Sequence, residues 1–206
     1  QLMDHMSPPD PDRLHLARLR LRSAVTARLE NWFVGLCQQR QGGDYEFNAA
    51  AMGRRALVNT AMGYLVDYSP AHASIAVQCF HSATNMTDEA AALVSLVHAG
   101  LPEAEACLES FSQRWRHEAL VVDQWFAIQA TAPLPVTTTR VRQLLRHPAF
   151  DRTNPNRVRA LLGQYANANP VAFHQAGGEG YLLFCAEVGG LDGINPQIAA
   201  RLLGAL

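Results

Sequence analysis

Residues 147 to 201 read HPAFDRTNPNRVRALLGQYANANPVAFHQAGGEGYLLFCAEVGGLDGINPQIAAR, and three Asn-Pro pairs punctuate the stretch: Asn154-Pro155, Asn169-Pro170 and Asn195-Pro196. An Asn side chain accepts from the orphan N–H groups of a first helical turn, and Pro fits the first helical position because its missing N–H would go unused. Each pair is therefore a helix start. Apolar residues then recur at helical spacing, which predicts helices near 155 to 168, 179 to 188 and 196 to 205.

Upstream the same signals repeat. After Pro11, Leu14, Ala17, Leu21, Val25, Leu29, Trp32 and Leu36 recur every three or four residues, which predicts one long helix with that face inward, ended by Gly42 and Gly43. Further helices are predicted over 48 to 66, 71 to 82, from Thr87 to Gly100, 103 to 116, 118 to 131 and 136 to 146. In the helix over 48 to 66, Gly53 and Gly63 are expected to let a neighbour approach closely. In the helix over 118 to 131, Val121, Val122, Trp125, Phe126 and Ile128 are expected to face a core. No segment alternates with period two, and no repeat recurs at a fixed period. The fold class is all-α: a superhelical array of antiparallel helix pairs, an irregular HEAT/armadillo-like solenoid. Residues 1–10 read as a lead-in and 11–206 as one helical domain.

The net charge is −1, and all 17 basic residues are Arg. That balance gives no electrostatic case for nucleic acid. Arg13, Arg18, Arg20, Arg22 and Arg28 crowd the first helix and read as a solvated face. Cys37, Cys79, Cys107 and Cys185 are far apart and read as small buried hydrophobes in a reducing compartment. No run is apolar enough to span a bilayer and no signal peptide is visible, so a cytoplasmic location is expected. Asn85-Met86-Thr87 matches a glycosylation acceptor but reads as a helix cap.

Catalytic motifs fail on inspection. His117-Glu118 begins like the zinc signature HExxH, yet Val121 stands where the second His belongs. Gly177-Gly178-Glu179-Gly180 lacks the phosphate-loop pattern and reads as a flexible turn. The remaining constellation is Gln197 and Arg201, four apart on one helix face, where they could meet a carboxylate or a peptide carbonyl. Arg157 and Arg159, two apart, point to nearly opposite sides, so only one can share that surface. Spacing alone leaves structural salt bridging and ligand contact both open, and favours bridging.

The strings FHSATNMTDEAAAL (80 to 93), VVDQWFAIQAT (121 to 131), HPAFDRTNPNRVRALLG (147 to 163), NPVAFH (169 to 174) and NPQIAARL (195 to 202) resemble the C-terminal helical domain of bacterial aminopeptidase N, in the M1 zinc metallopeptidase family. The resemblance runs from about Pro11 onward. It implies a noncatalytic domain that closes over a separate catalytic domain, encloses the active-site cavity and contacts the distal part of a peptide. In that family the HExxH and GxMEN motifs lie in the catalytic domain, and neither occurs here. Zinc is thus expected in the parent enzyme and no cofactor in this chain, which alone should be inactive. The parent is expected to be a monomeric aminopeptidase of broad specificity including Ala. Its partners would be its own catalytic domain and peptide, with neither nucleic acid nor membrane.

By the same resemblance Arg159, Gln197 and Arg201 match positions that face the cavity and contact substrate. The family domain continues for some helices past RLLGAL, so truncation at the C-terminal end is expected, and the family's acidic turn reads here as AGGEGY. The competing expectation is a freestanding helical-repeat module that binds a protein partner.

Overall fold

The computed structural model describes residues 5–39 and 45–206, and every regular element among them is helical. The predicted Gly42-Gly43 stop and the first four residues of the lead-in lie outside the described residues. The elements are α1 (Pro11–Gln39), α2 (Ala49–Tyr68), a 3-10 turn (Pro70–His72), α3 (Ala73–Ser82), α4 (Met86–His98), α5 (Glu103–Trp115), α6 (Ala119–Ala130) and α7 (Thr137–Leu144). There follow α8 (Pro155–Val158), a π-helical segment (Arg159–Gly163), α9 (Gln164–Ala168), α10 (Pro170–Phe173), α11 (Glu179–Asp192) and α12 (Pro196–Leu203). The chain divides into two compact units, one of Leu14–Glu109 and the other centred on Ser110–Leu206.

In the Leu14–Glu109 unit, α4 packs on both α2 and α3, around Met62, Leu65, Phe80, Leu93 and Leu96, which are fully buried. Side-chain caps start the helices. Asn48 Oδ1 accepts from the Ala51 N–H at 2.8 Å, and Asn85 Oδ1 from the Asp88 N–H at 3.1 Å, so Asn85 is the cap its sequence context predicts.

The long first helix forms, but its inward face is not the predicted one. Thr26, Phe33 and Cys37 are buried, whereas Leu21 is 66% and Trp32 51% exposed. The true face is displaced by one residue, about 100° around the helix. Polar side chains explain the displacement. Arg22 Nη2 pairs with Asp67 at 2.6 Å and its guanidinium lies 3.9 Å over the Tyr64 ring. Thr26 donates its hydroxyl to the Arg22 carbonyl at 2.9 Å, and Glu30 meets His72 at 2.9 Å. Arg22 is therefore not part of a solvated face. Gly53 also departs from expectation, since a Cβ there would meet nothing within 4 Å; at Gly63 it would meet Ser95 Oγ at 3.7 Å.

The Ser110–Leu206 unit is built on Phe126, Leu161, Leu162, Tyr165, Phe173 and Phe184, all fully buried. α6 packs on α7 and on the π segment, and α11 on α12. Trp125, Phe126 and Ile128 are core residues as predicted, while Val121 and Val122 are only half-buried. None of the four cysteines is in a disulfide: Cys37 and Cys107 are buried, Cys79 half-buried, and Cys185, against expectation, exposed.

Candidate functional site

All three Asn-Pro pairs start helices. Asn154 Oδ1 accepts from the N–H groups of Asn156 (3.0 Å) and Arg157 (3.3 Å), Asn169 Oδ1 from Ala172 (3.1 Å), and Asn195 Oδ1 from Ile198 (3.2 Å). The middle pair opens only the four residues of α10. Asn169 is nevertheless the hub of the region. Only 1% exposed, it also donates through Nδ2 to the carbonyls of Ala130 (2.9 Å) and Ala132 (2.7 Å), where α6 ends. A buried amide that satisfies three backbone groups fixes the order of elements around it.

Beyond the first pair, Arg157 and Arg159 diverge as predicted. Arg157 turns inward, 7% exposed, with Nε donating to Asp123 Oδ1 and Nη1 to the Ala149 carbonyl, both at 2.5 Å. Arg159 is exposed, and its Nη2 donates to Asn156 Oδ1 at 2.5 Å. The helix carrying them widens into π geometry, with the Gln164 N–H donating to the Arg159 carbonyl five residues back. Such insertions are frequent at functional sites.

The segment meets α12 at Gly163, where an added Cβ would lie 3.7 Å from both Arg159 Cβ and Leu202 Cδ2. The Arg159 stem and the Leu202 side chain thus flank one glycine. On α12, Ile198, Ala199 and Leu202 are buried, so Gln197 and Arg201, one turn apart, both project to the exposed side. Of the sequence-predicted trio, the structure brings Arg159 to the seam with α12 and leaves Gln197 and Arg201 exposed along that helix.

The approach is buttressed by α11. Arg152 pairs with Glu187, and Gly178 takes the left-handed conformation (φ +70°) just before the helix. Gly180 is not part of a flexible turn. It lies within α11, and a Cβ there would come 2.3 Å from the Phe173 carbonyl oxygen. Sequence reasoning missed Asp123 and Asn169 as anchors; Asn169 carried a signal in its Asn-Pro context, Asp123 none. A cleft of about 480 Å³ in the Leu14–Glu109 unit is lined partly by Arg54, Glu46, Asn85 and Asp88. Its charges are engaged internally: Arg54 pairs with Glu46 at 3.3 Å and Asn85 donates to Asp88 at 2.6 Å. Among the described residues no group of three or more His, Cys, Asp or Glu could hold a metal ion, and the His117-Glu118 pair stands outside any such group.

Residues 1–206 match a family described as a domain of unknown function (DUF3458_C) with ARM repeats. Aminopeptidase N of Caulobacter vibrioides is 41% identical over 199 residues, 96% of this chain and 23% of that protein. The chain belongs to the family of aminopeptidase N C-terminal helical domains. Aminopeptidase N of Escherichia coli K12 is 34% identical over 198 residues, again 96% of this chain and 23% of that protein. A crystal structure of Legionella pneumophila aminopeptidase A in complex with aspartic acid matches with a TM-score of 0.86 at 34% identity, covering 96% of this chain and 24% of that one. The chain thus spans about a quarter of the length of the aminopeptidase N relatives it matches. Membership agrees with the fold, an all-α array of helical repeats.

Proposed function

We propose that this chain is the noncatalytic domain of a cytoplasmic M1 zinc aminopeptidase of broad specificity including Ala, that it encloses the active-site cavity, and that it holds the distal part of a peptide. The observation that carries the reading is the 41% identity to an aminopeptidase N along 96% of the chain. The exposure of Arg159 at the Gly163 seam, and of Gln197 and Arg201 along α12, supports the peptide-holding role. In a peptidase of this class a zinc ion held by the catalytic domain would supply Lewis-acid chemistry. The described residues do not fit a zinc ion, and the part of this chain is binding and orientation. The guanidiniums of Arg159 and Arg201 would hold the carboxylate or carbonyls of the distal residues, Arg159 exchanging its bond to Asn156 for one to the ligand. The Gln197 amide can donate to and accept from a peptide backbone.

The coding sequence around this chain tests the reading. A continuous frame encoding HExxH and GxMEN is the expected result, with no peptide cleavage by the isolated chain in the presence of zinc. A frame without those motifs would favour the freestanding interaction module, and metal-dependent cleavage by the isolated chain would overturn the noncatalytic assignment.

A further inference from the structure

A second concavity lies in the Ser110–Leu206 unit, and none of the residues assigned to peptide lines it. It is a pocket of about 190 Å³ whose walls include Phe111, Trp115, Val121, Val122, Trp125 and His147. The Trp125 indole and the His147 imidazole stand 5.1 Å apart, tilted by 50°. Phe111 is fully buried at its base, and Trp125 is 8% exposed. The volume is below that of drug-sized sites and close to that of apolar cavities of roughly 150 Å³ that take up benzene. Aromatic walls favour a flat ring in offset or edge contact.

Arg116 is the one fully charged side chain among the described residues that line it. Its Nε donates to His117 Nε2 at 3.0 Å at an exposed position, which holds the guanidinium at the surface. A pocket with an apolar floor, aromatic walls and one cation complements an apolar ring with an anionic tail. The geometry points to a binding site for a small aromatic carboxylate, its ring against the wall that Trp115, Trp125 and His147 form and its carboxylate on Arg116. The same chemistry is offered by a free arylacetate and by a peptide ending in an aromatic residue. The inference is independent of the aminopeptidase reading, because it uses no residue assigned to that function.

Tryptophan fluorescence of the full chain provides the test, with Trp32→Phe removing the one indole outside the pocket. Phenylacetate should quench saturably, and benzyl alcohol should bind about three- to fivefold more weakly, the scale of one exposed charge pair. Acetate alone should have no effect. Arg116→Gln should reduce phenylacetate to the benzyl alcohol level and leave benzyl alcohol unchanged. Val122→Trp should fill the pocket and weaken both by at least about tenfold, with circular dichroism reporting the fold. Should Val122→Trp fail to fold, the Arg116→Gln comparison decides alone. A peptide ending in Phe that binds as tightly as phenylacetate identifies a chain terminus as the source; one that binds far more weakly identifies the free acid. No saturable response of the wild-type chain to phenylacetate, or equal effects of Arg116→Gln on the acid and the alcohol, would overturn the assignment.

Discussion

Arg157 Nε donates to Asp123 Oδ1 at 2.5 Å inside the Ser110–Leu206 unit, with side chains only 8% and 14% exposed and the guanidinium 5.1 Å above the Phe126 ring. Two residues later Arg159 stands in solvent. Removing one member of a buried pair strands the other, so Asp123→Ala should cost about 3 kcal/mol. Arg159→Ala should change stability by about 0.5 kcal/mol or less. Urea denaturation of both variants measures the difference, and similar losses would refute the division of labour between the two arginines.

Glycine positions separate equally sharply. Gly180→Ala forces a methyl against the Phe173 carbonyl, which the backbone can relieve only by moving; the expected cost is about 2 to 3 kcal/mol. Gly53→Ala lies in open space on α2 and should stabilise by about 0.5 to 1 kcal/mol. Thermal melts of the pair should shift in opposite directions.

The three Asn caps should differ in weight. Asn169→Ala removes a buried cap and leaves two carbonyls without their donor, a loss of at least about 2 kcal/mol. Asn195→Ala removes one partly exposed cap bond, about 1 kcal/mol. Chemical denaturation that ranks them in the reverse order would contradict the hub role of Asn169.

Much of this was legible in the sequence. The Asn-Pro pairs marked their helix starts because capping is local chemistry, and the opposed directions of Arg157 and Arg159 followed from helical geometry alone. The inward face of α1 was not legible. Arg22, Thr26 and Glu30 look solvent-facing until Asp67, Tyr64 and His72 are known to meet them, and those partners are distant in sequence. The π segment was equally hidden, since one extra residue in a turn barely alters an apolar period. Gly180 looked like part of a glycine-rich turn because the close approach of the Phe173 carbonyl is a tertiary fact. The shared helix face of Gln197 and Arg201 was legible from their spacing of four, but spacing favoured salt bridging, and the exposure of both with Arg159 emerged only in the fold.

Stability should depend on pH at both ends. Burial pushes the Tyr165 hydroxyl above its ordinary value, opposed by its bond to Thr138. The folded state then holds that proton more tightly, so the contribution is intact below about pH 10 and is lost as pH rises through the folded value. Asp151 is held below the usual carboxylate range, first by the Thr153 hydroxyl and then by its backbone N–H. Its contribution is present above about pH 4 and lost as pH falls through the folded value. Tyr165→Phe should flatten the alkaline limb and Asp151→Asn the acid limb of a stability profile read by denaturation.

The central claim is that Arg201 and its neighbours serve the far end of a peptide while the chemistry lies elsewhere. Kinetics of Arg201→Ala in the full-length parent enzyme test it most directly, with a longer peptide compared against a single-residue chromogenic substrate. The account predicts that kcat/KM falls about tenfold or more for the peptide, the loss of one charge-assisted contact, and is unchanged for the chromogenic substrate. Equal losses on both substrates, or none on either, would contradict it.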